Sequence, residues 1–313
     1  MEHFLYMELN REQCYPAVTA PDAQRAAEVN SCFSRLSYRP PFEWESLLAF
    51  LTRRVFARVE QVDGVRYRRT VEIGMHRGWI CVENESARAS LCVEVSVSLM
   101  PVLTQVLVRL RRLFDLDAIP EEISSRLGSL AEAHPGLRVP GAFDGFEMAV
   151  RAILGQQISV KAAATLAARL TERFADSIVT PFPALSRLGP RASVVSEIPA
   201  GQLAAIGLTR SRARSILALA HAVATGAISF DPTAPVDRVM MKLKELPGIG
   251  EWTTQYIAMR ALRWSDAFPE SDLGILKALR TKTPSHAASL AERWRPWRAY
   301  AAMHLWKTLT EIP

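Results

Sequence analysis

The stretch Leu246-Pro247-Gly248-Ile249-Gly250-Glu251-Trp252 breaks one helical pattern and starts another, and it constrains this chain more than any other segment. Before it, Val236, Val239, Met240, Leu243 and Leu246 recur at helical spacing and mark one apolar face. Pro247 lacks a backbone donor and Gly248 stops the helix. A second helix is predicted from Glu251 to Leu262. Gly248 and Gly250 allow positive φ and expose backbone N–H groups, and the first N–H groups of the second helix have no acceptor within it. Oriented donors at the positive end of a helix dipole suit an anion. A nucleic-acid phosphate held this way needs no base contact. Read as Pro-Gly-x-Gly alone, the same residues are also consistent with a plain connection between helices.

The partner implied by composition is polyanionic, but only mildly so: the 313 residues carry a formal net charge of +6 and a pI near 9.3. A local cluster is more telling. Arg280, Lys282, Arg293, Arg295, Arg298 and Lys307 stand against a single acid, Glu292, which reads either as a phosphate-facing surface or as a solvated helix face. Cys14, Cys32, Cys81 and Cys92 contain no C-x-x-C pair, so neither a zinc knuckle nor an iron–sulfur cluster is indicated. No basic-then-apolar leader and no membrane-length apolar run is found, and the expectation is a soluble, cytoplasmic protein with no membrane association.

Three parts are expected along the chain. Residues 1–36 read as an extension without a clear period, with a short helix near Asp22 to Arg35. Residues 37–117 read as an α+β lobe: a helix from Trp44 to Phe56, then strands Val55 to Val62 and Val65 to Ile73 around an Asp63-Gly64 turn. Trp79 to Glu83 and Leu91 to Val97 complete a small antiparallel sheet with helices on one face. Residues 118–313 read as a helical body carrying the hairpin at 246–252, with helices at Phe143 to Leu154, Val160 to Phe174 and Ser211 to Ala224 among others. The fold class is α+β, an N-terminal sheet lobe followed by helices.

Several blocks occur in order: Pro40-Pro41-Phe42-x-Trp44, Leu113-Phe114-Asp115-Leu116, Pro135-Gly136-Leu137-Arg138-x-Pro140-Gly141, Arg151-Ala152-Ile153-Leu154-Gly155-Gln156-Gln157-Ile158-Ser159-Val160, the hairpin string, and Glu292-Arg293-Trp294-x-Pro296-Trp297-Arg298. Together with Tyr256 and Asp272 they resemble the 3-methyladenine DNA glycosylase II family of the helix-hairpin-helix DNA glycosylase superfamily, from about Tyr38 to the C-terminus. The resemblance implies a sheet lobe, a helix-hairpin-helix glycosylase body, and a monomer acting on double-stranded DNA with alkylated bases in base excision repair, nucleoid-associated through that DNA. It implies Asp272 as the catalytic acid and Trp252, Tyr256, Trp306 and Phe50 as base-pocket positions. Gly248, Gly250 and Thr253 would present amides to phosphate, with a monovalent cation at the hairpin and no required cofactor or catalytic metal. Residues 1–36 lack the cysteine cluster of the zinc-bearing module fused to some relatives, so no alkyl-acceptor role is inferred.

An enzyme that acts on a base inside duplex DNA must extrude it, which takes a phosphate anchor, a wedge and a pocket. The wedge falls at Gln157, where some relatives carry an apolar residue, the usual device for unstacking. Trp252 and Tyr256, at i and i+4, share one helix face. Taken singly, each aromatic reads as ordinary core; the ordered hairpin reverses that preference for Trp252, Tyr256 and Trp306 but not for Phe50, whose pocket role is implied by the resemblance alone. Alkylation at N3 or N7 makes a purine cationic, so it stacks well on electron-rich rings and departs without a general acid. One carboxylate then suffices: at about 4 Å from the sugar's developing charge it contributes roughly 4 kcal/mol at an effective dielectric near 20, on the order of a thousandfold in rate. Asp272 also reads as an N-cap for a helix from Leu273 to Leu279, while Asp266 and Glu270 are neighbouring acids, Asp266 read as structural.

No lysine lies between Glu251 and Lys277, so the Schiff-base chemistry of strand-cutting relatives is not expected. Two other readings stay open at this point: a non-catalytic helix-hairpin-helix protein that senses distorted DNA, and a bifunctional oxidised-base glycosylase.

Overall fold

A computed structural model describes residues 31–311. Its first lobe is a five-stranded antiparallel sheet, ordered β1-β5-β4-β3-β2, built from β1 (Ser31–Ser37), β2 (Glu60–Asp63), β3 (Arg66–Ile73), β4 (His76–Glu85) and β5 (Ser90–Ser96). Helices Trp44–Thr52 and Leu103–Leu113 supply Trp44, Leu47, Leu48, Val106 and Leu110 to the core that the sheet closes with Tyr67, Ile80, Val82, Val93 and Val95. The Trp44 indole N–H donates to the Val65 carbonyl at 2.7 Å and fixes the first helix to the β2–β3 hairpin.

Several boundaries differ from the sequence reading. Residues 31–36, assigned to the extension and in part to a helix, form most of an edge strand paired in register with β5 from Ser31↔Ser96 to Ser37↔Ser90. Only Leu36 is buried in it, so no apolar alternation marks it. The remainder of that predicted helix lies outside the described residues. The β2–β3 turn is Gly64-Val65, not Asp63-Gly64, because Asp63 pairs with Arg66 and Gly64 takes φ +55°. The helix Leu103–Leu113 is preceded by the 3-10 stretch Val97–Val102, in which Pro101 lies. The outer face of the sheet is also partly covered: Phe182 meets Trp79 edge-on at 5.0 Å, and the Thr70 hydroxyl donates to the Arg187 carbonyl at 2.7 Å.

The helical body keeps the predicted helices to within a few residues at their ends, as Gly145–Leu154, Val160–Phe174, Arg210–Ala224, Val236–Glu245, Glu251–Arg260 and Leu273–Ala278, and adds a last helix, Arg298–Glu311, that the sequence reading does not bound. Side chains set several starts. The Asp144 carboxylate accepts from the Glu147 amide at 3.0 Å, and the Ser159 hydroxyl accepts from the Ala162 amide at 3.2 Å. The two lobes are joined by the buried pair Arg69–Glu147, at 2.9 Å, and by Phe50, which packs against both cores. Among the described residues no helix is long and apolar enough to cross a membrane.

Candidate active site and nucleic-acid interface

Asp272 lies where the hairpin's second helix, Glu251–Arg260, faces the last helix, Arg298–Glu311. It caps the helix Leu273–Ala278, its Oδ1 accepting from the Ile275 amide at 3.1 Å. Two indoles hold the same carboxylate: Trp252 Nε1 donates to Oδ2 at 2.9 Å, and Trp306 Nε1 donates to Oδ1 at 2.9 Å. The cap and the candidate acid are therefore one group. Gly274 is needed for this packing, since a Cβ there would stand 3.0 Å from Asp272 Oδ1 and 3.1 Å from the Trp306 ring.

The predicted pocket residues come together around the acid. Trp252 and Tyr256 stack at 5.3 Å with rings 6° from parallel, as their helical spacing requires. Trp306 is 6.1 Å from Tyr256 and 6.5 Å from Phe50, nearly parallel to the latter at 23°. Phe50 is thus both a core residue and a member of the aromatic group. Tyr256 is buried, and its hydroxyl accepts from Arg260 Nη1 at 3.0 Å. Burial alone would raise the Tyr256 phenol, but the Arg260 and Arg54 guanidiniums prevail and draw it below its ordinary value.

The hairpin turn uses the conformational freedom of one glycine and not of the other. Gly248 has φ +75°, and a Cβ there would meet the Ser215 hydroxyl at 2.4 Å. Gly250 is extended, with φ −91° and ψ −175°, so positive φ is not why glycine stands there. It occupies the N-cap position with open space around it, leaving room for an incoming anion at the helix start. Thr253 lies in the first turn, but its side chain is buried and accepts from Gln156 Nε2 at 2.9 Å, so only its backbone suits a phosphate. Glu251 beside these amides is neutralised by Lys244 at 2.6 Å: partial burial raises its carboxyl, but hydrogen bonds from Lys244 and Gln255 win and hold it low.

Gln157 is exposed and has φ +55°, a conformation few non-glycine residues adopt and one that often marks a functional turn. Its neighbour has a role that the sequence reading does not assign. Gln156 donates to the Gly248 carbonyl and to the Thr253 hydroxyl, both at 2.9 Å, and its own carbonyl accepts from Arg212. It ties the turn at Gln157 to the turn at Gly248, a link between distant segments that no local pattern signals. The basic cluster near the C-terminus divides. Arg298 is buried and, with Arg295, is committed to Asp266 and Glu292, whereas Arg280 and Lys282 are exposed. Asp266 is accordingly structural.

Among the described residues no group of three or more His, Cys, Asp or Glu side chains is placed to hold a metal. The donors that suit a monovalent ion at the hairpin are neutral carbonyl oxygens; those of Leu246 and Gly248 each already accept one hydrogen bond and retain a second lone pair.

Comparison with known proteins agrees with this construction. The AlkA N-terminal domain family matches residues 33–144, and the family of HhH-GPD superfamily base excision DNA repair proteins matches residues 150–295. DNA-3-methyladenine glycosylase 2 of Escherichia coli (strain K12) is 36% identical over 273 residues, 87% of this chain and 96% of that protein. Among solved structures, the 3-methyladenine DNA-glycosylase from Archaeoglobus fulgidus shares the fold with a TM-score of 0.74 at 21% identity, over 87% of this chain and 97% of that one. So does the 8-oxoguanine glycosylase/lyase of Clostridium acetobutylicum in complex with double-stranded DNA, with a TM-score of 0.68 at 14% identity, over 86% and 92%. The chain belongs to the HhH-GPD superfamily of base excision DNA repair proteins, among those with an AlkA N-terminal domain. It is a DNA glycosylase, a hydrolase of N-glycosidic bonds that has DNA as its partner.

Proposed function

We propose that this glycosylase is monofunctional and excises alkylated, cationic purines such as 3-methyladenine, leaving an abasic site. The observation that carries this reading is the carboxylate of Asp272, held by two indole N–H groups and a backbone amide at the edge of an aromatic cleft. As the C1′–N bond breaks, both electrons pass to the base, which leaves neutral if it arrived cationic. The sugar cation is stabilised by Asp272 and captured by water, whose proton is lost to solvent. Trp252, Tyr256, Trp306 and Phe50 offer stacking faces to a cationic base, and Gln157 fills the space the base vacates. The first-turn amides beside Gly248, Gly250 and Thr253 hold phosphate, and a monovalent cation on the hairpin carbonyls would add positive charge there. No amine stands between Glu251 and Lys277 to form a Schiff base. Action as a monomer on nucleoid DNA in the cytoplasm belongs to the same reading.

The test is to incubate methylated duplex DNA with wild type and Asp272→Asn and to resolve the freed bases by chromatography. Release of 3-methyladenine by the wild type and its loss in the variant is the expected result. Release by neither would favour a protein that binds distorted DNA without acting on it. A covalent DNA adduct trapped by borohydride would overturn monofunctional action.

A further inference from the structure

Against the aromatic group lies a cluster of charge that base excision, as proposed, leaves unused. Arg54, Arg151 and Arg260 line one small cavity of about 40 Å³, with Glu60, Asp144, Glu147 and Arg69 also in its wall. The Arg54 guanidinium carbon is 3.7 Å from the Phe50 ring centroid, and that of Arg260 is 4.9 Å from the same ring and 5.8 Å from Tyr256. Their hydrogen bonds run to neutral acceptors. Arg54 Nη1 donates to the Phe50 carbonyl at 3.1 Å, Arg151 to the Val55 and Arg53 carbonyls at 3.3 and 3.2 Å, and Arg260 to the Pro140 and Gly141 carbonyls besides the Tyr256 hydroxyl. Among the described residues none of the three has a carboxylate at ion-pair distance. Glu60, the acid whose field reaches Arg151 and Arg260, is engaged by the Tyr67 hydroxyl at 2.6 Å and by Arg69 at 3.6 Å.

Buried charge without a counter-ion is costly. Burial draws Arg151 down to about 10 and Arg260 below its ordinary value. A cluster held at that cost calls for a use, and its position suggests one. Contacts run from Asp272 to Trp306, from Trp306 to Phe50, and from Phe50 to Arg54, so the aromatic group has a carboxylate at one end and guanidiniums at the other.

We infer that Arg54 is a specificity-determining residue whose charge drives positive charge off the bound base toward the sugar, speeding departure of any base while penalising the binding of bases that arrive cationic. The inference rests on the proposed function, because it places the base on the aromatic group and the sugar at Asp272. The bookkeeping of charge is the same for both substrate kinds. When the C1′–N bond breaks, the electron pair goes to the base; an alkylated purine falls from cation to neutral, and a neutral purine leaves as an anion that takes a proton from water. The base loses one unit of positive charge in either case, and a positive potential beside it favours that loss. Only a cationic base, however, meets repulsion on entry. Charge near the base therefore acts on the chemical step for both and on binding for one. Arg260 is buried and locked by carbonyls and the Tyr256 hydroxyl; Arg54 also reaches the Tyr256 side chain but is partly exposed, which makes it the member most open to substitution.

The experiment is single-turnover kinetics on duplexes containing 7-methylguanine, a cationic base, or hypoxanthine, a neutral one, with wild type, Arg54→Met and Arg54→Lys. Arg54→Met is expected to slow the chemical step at saturating enzyme about threefold on both duplexes, to lower the half-saturating concentration for 7-methylguanine by about threefold or more, since the base sheds in the transition state no more than the charge it brings, and to leave that for hypoxanthine within about twofold. Arg54→Lys, which keeps the charge over Phe50, is expected to stay nearer to wild type than Arg54→Met throughout. An unchanged chemical step overturns the inference. So does slowing in which the 7-methylguanine duplex binds no tighter, which is the pattern of lost packing against Phe50, or an Arg54→Lys variant as slow as Arg54→Met. Failure of the wild type to release 7-methylguanine would instead count against the proposed function, and the hypoxanthine arm would still show whether Arg54 acts on the chemical step.

Discussion

Asp266 and Asp272 stand six positions apart in the same connection and are held in opposite ways. Asp266 is buried and accepts from Arg298 Nε at 2.7 Å, from Arg298 Nη2 at 2.9 Å, and from Arg295, so its charge is cancelled by two guanidiniums. Asp272 is only half-buried and accepts from two indoles and one amide, all neutral. Neutral donors fix a carboxylate in place and leave its full negative charge to act on whatever lies in front of it. Cationic donors tie it into the frame. The contrast separates a carboxylate that can stabilise a developing cation from one that holds a loop to a helix, and it does so by partners rather than by residue type.

The largest effect expected is on Asp272. Asp272→Asn keeps the side chain's shape and an acceptor for the Ile275 amide but removes the charge, so base release should fall on the order of a thousandfold with binding of undamaged duplex unchanged. Single-turnover release alongside a binding isotherm checks both halves. Asp266→Asn should do the reverse. It strips the counter-charge from buried Arg298, at a cost of about 3 kcal/mol in stability, near the low end for a broken buried pair because Arg295 is partly exposed. Denaturant unfolding reads that loss, and the rate per folded molecule should stay within about threefold of wild type. A variant that stayed stable but lost its rate would erase the distinction between the two acids.

Features set by neighbouring residues are legible in the sequence, and both acids show where that legibility ends. The helix Val160–Phe174 is predictable at both ends because Ser159 caps its start and its apolar face repeats without interruption. The hairpin glycines, the Trp252–Tyr256 face and Asp272 as a helix cap are readable from order and spacing along the chain, whereas Asp272 as the candidate acid is implied by the family resemblance. What is not legible depends on long-range contact. The donors to Asp272 come from Trp252 and Trp306, 20 and 34 positions away, and no local period announces that both indole N–H groups point at one carboxylate. Gln156 reads only as the residue beside Gln157, because its role as a clamp exists once the turn at Gly248 is folded against it. Strand Ser31–Ser37 escapes a sequence reading because an edge strand with one buried residue carries almost no pattern. The gathering of Arg54, Arg151 and Arg260 around one cavity has no signal in the sequence, since nothing local distinguishes a buried arginine from a solvated one.

The comparison sharpens further if the neutral donors are removed one at a time. Trp252→Phe keeps a ring to stack on Tyr256 but deletes the N–H to Asp272 Oδ2. A hydrogen bond to a charged group is worth about 1.5–3 kcal/mol, so release should slow roughly tenfold to a hundredfold, with most of the loss in the chemical step. A loss confined to substrate binding would mean that the indole serves as a stacking face and does not position the acid.

The smallest expected effect lies at Gly274, and it tests whether position as well as charge distinguishes Asp272. An added Cβ at Gly274 would come within 3.0 Å of Asp272 Oδ1 and 3.1 Å of the Trp306 ring, close enough to force one of them aside by a few tenths of an ångström. Gly274→Ala should also favour the helix Leu273–Ala278 slightly, because alanine is the better helix former. Stability and rate are therefore expected to move in opposite directions: thermal unfolding unchanged or slightly raised, and base release slowed about fivefold, the equivalent of about 1 kcal/mol for an off-rotamer side chain. If the rate held while the helix gained stability, the indole-to-carboxylate geometry would tolerate displacement, and the charge of Asp272 alone would have to account for the difference from Asp266.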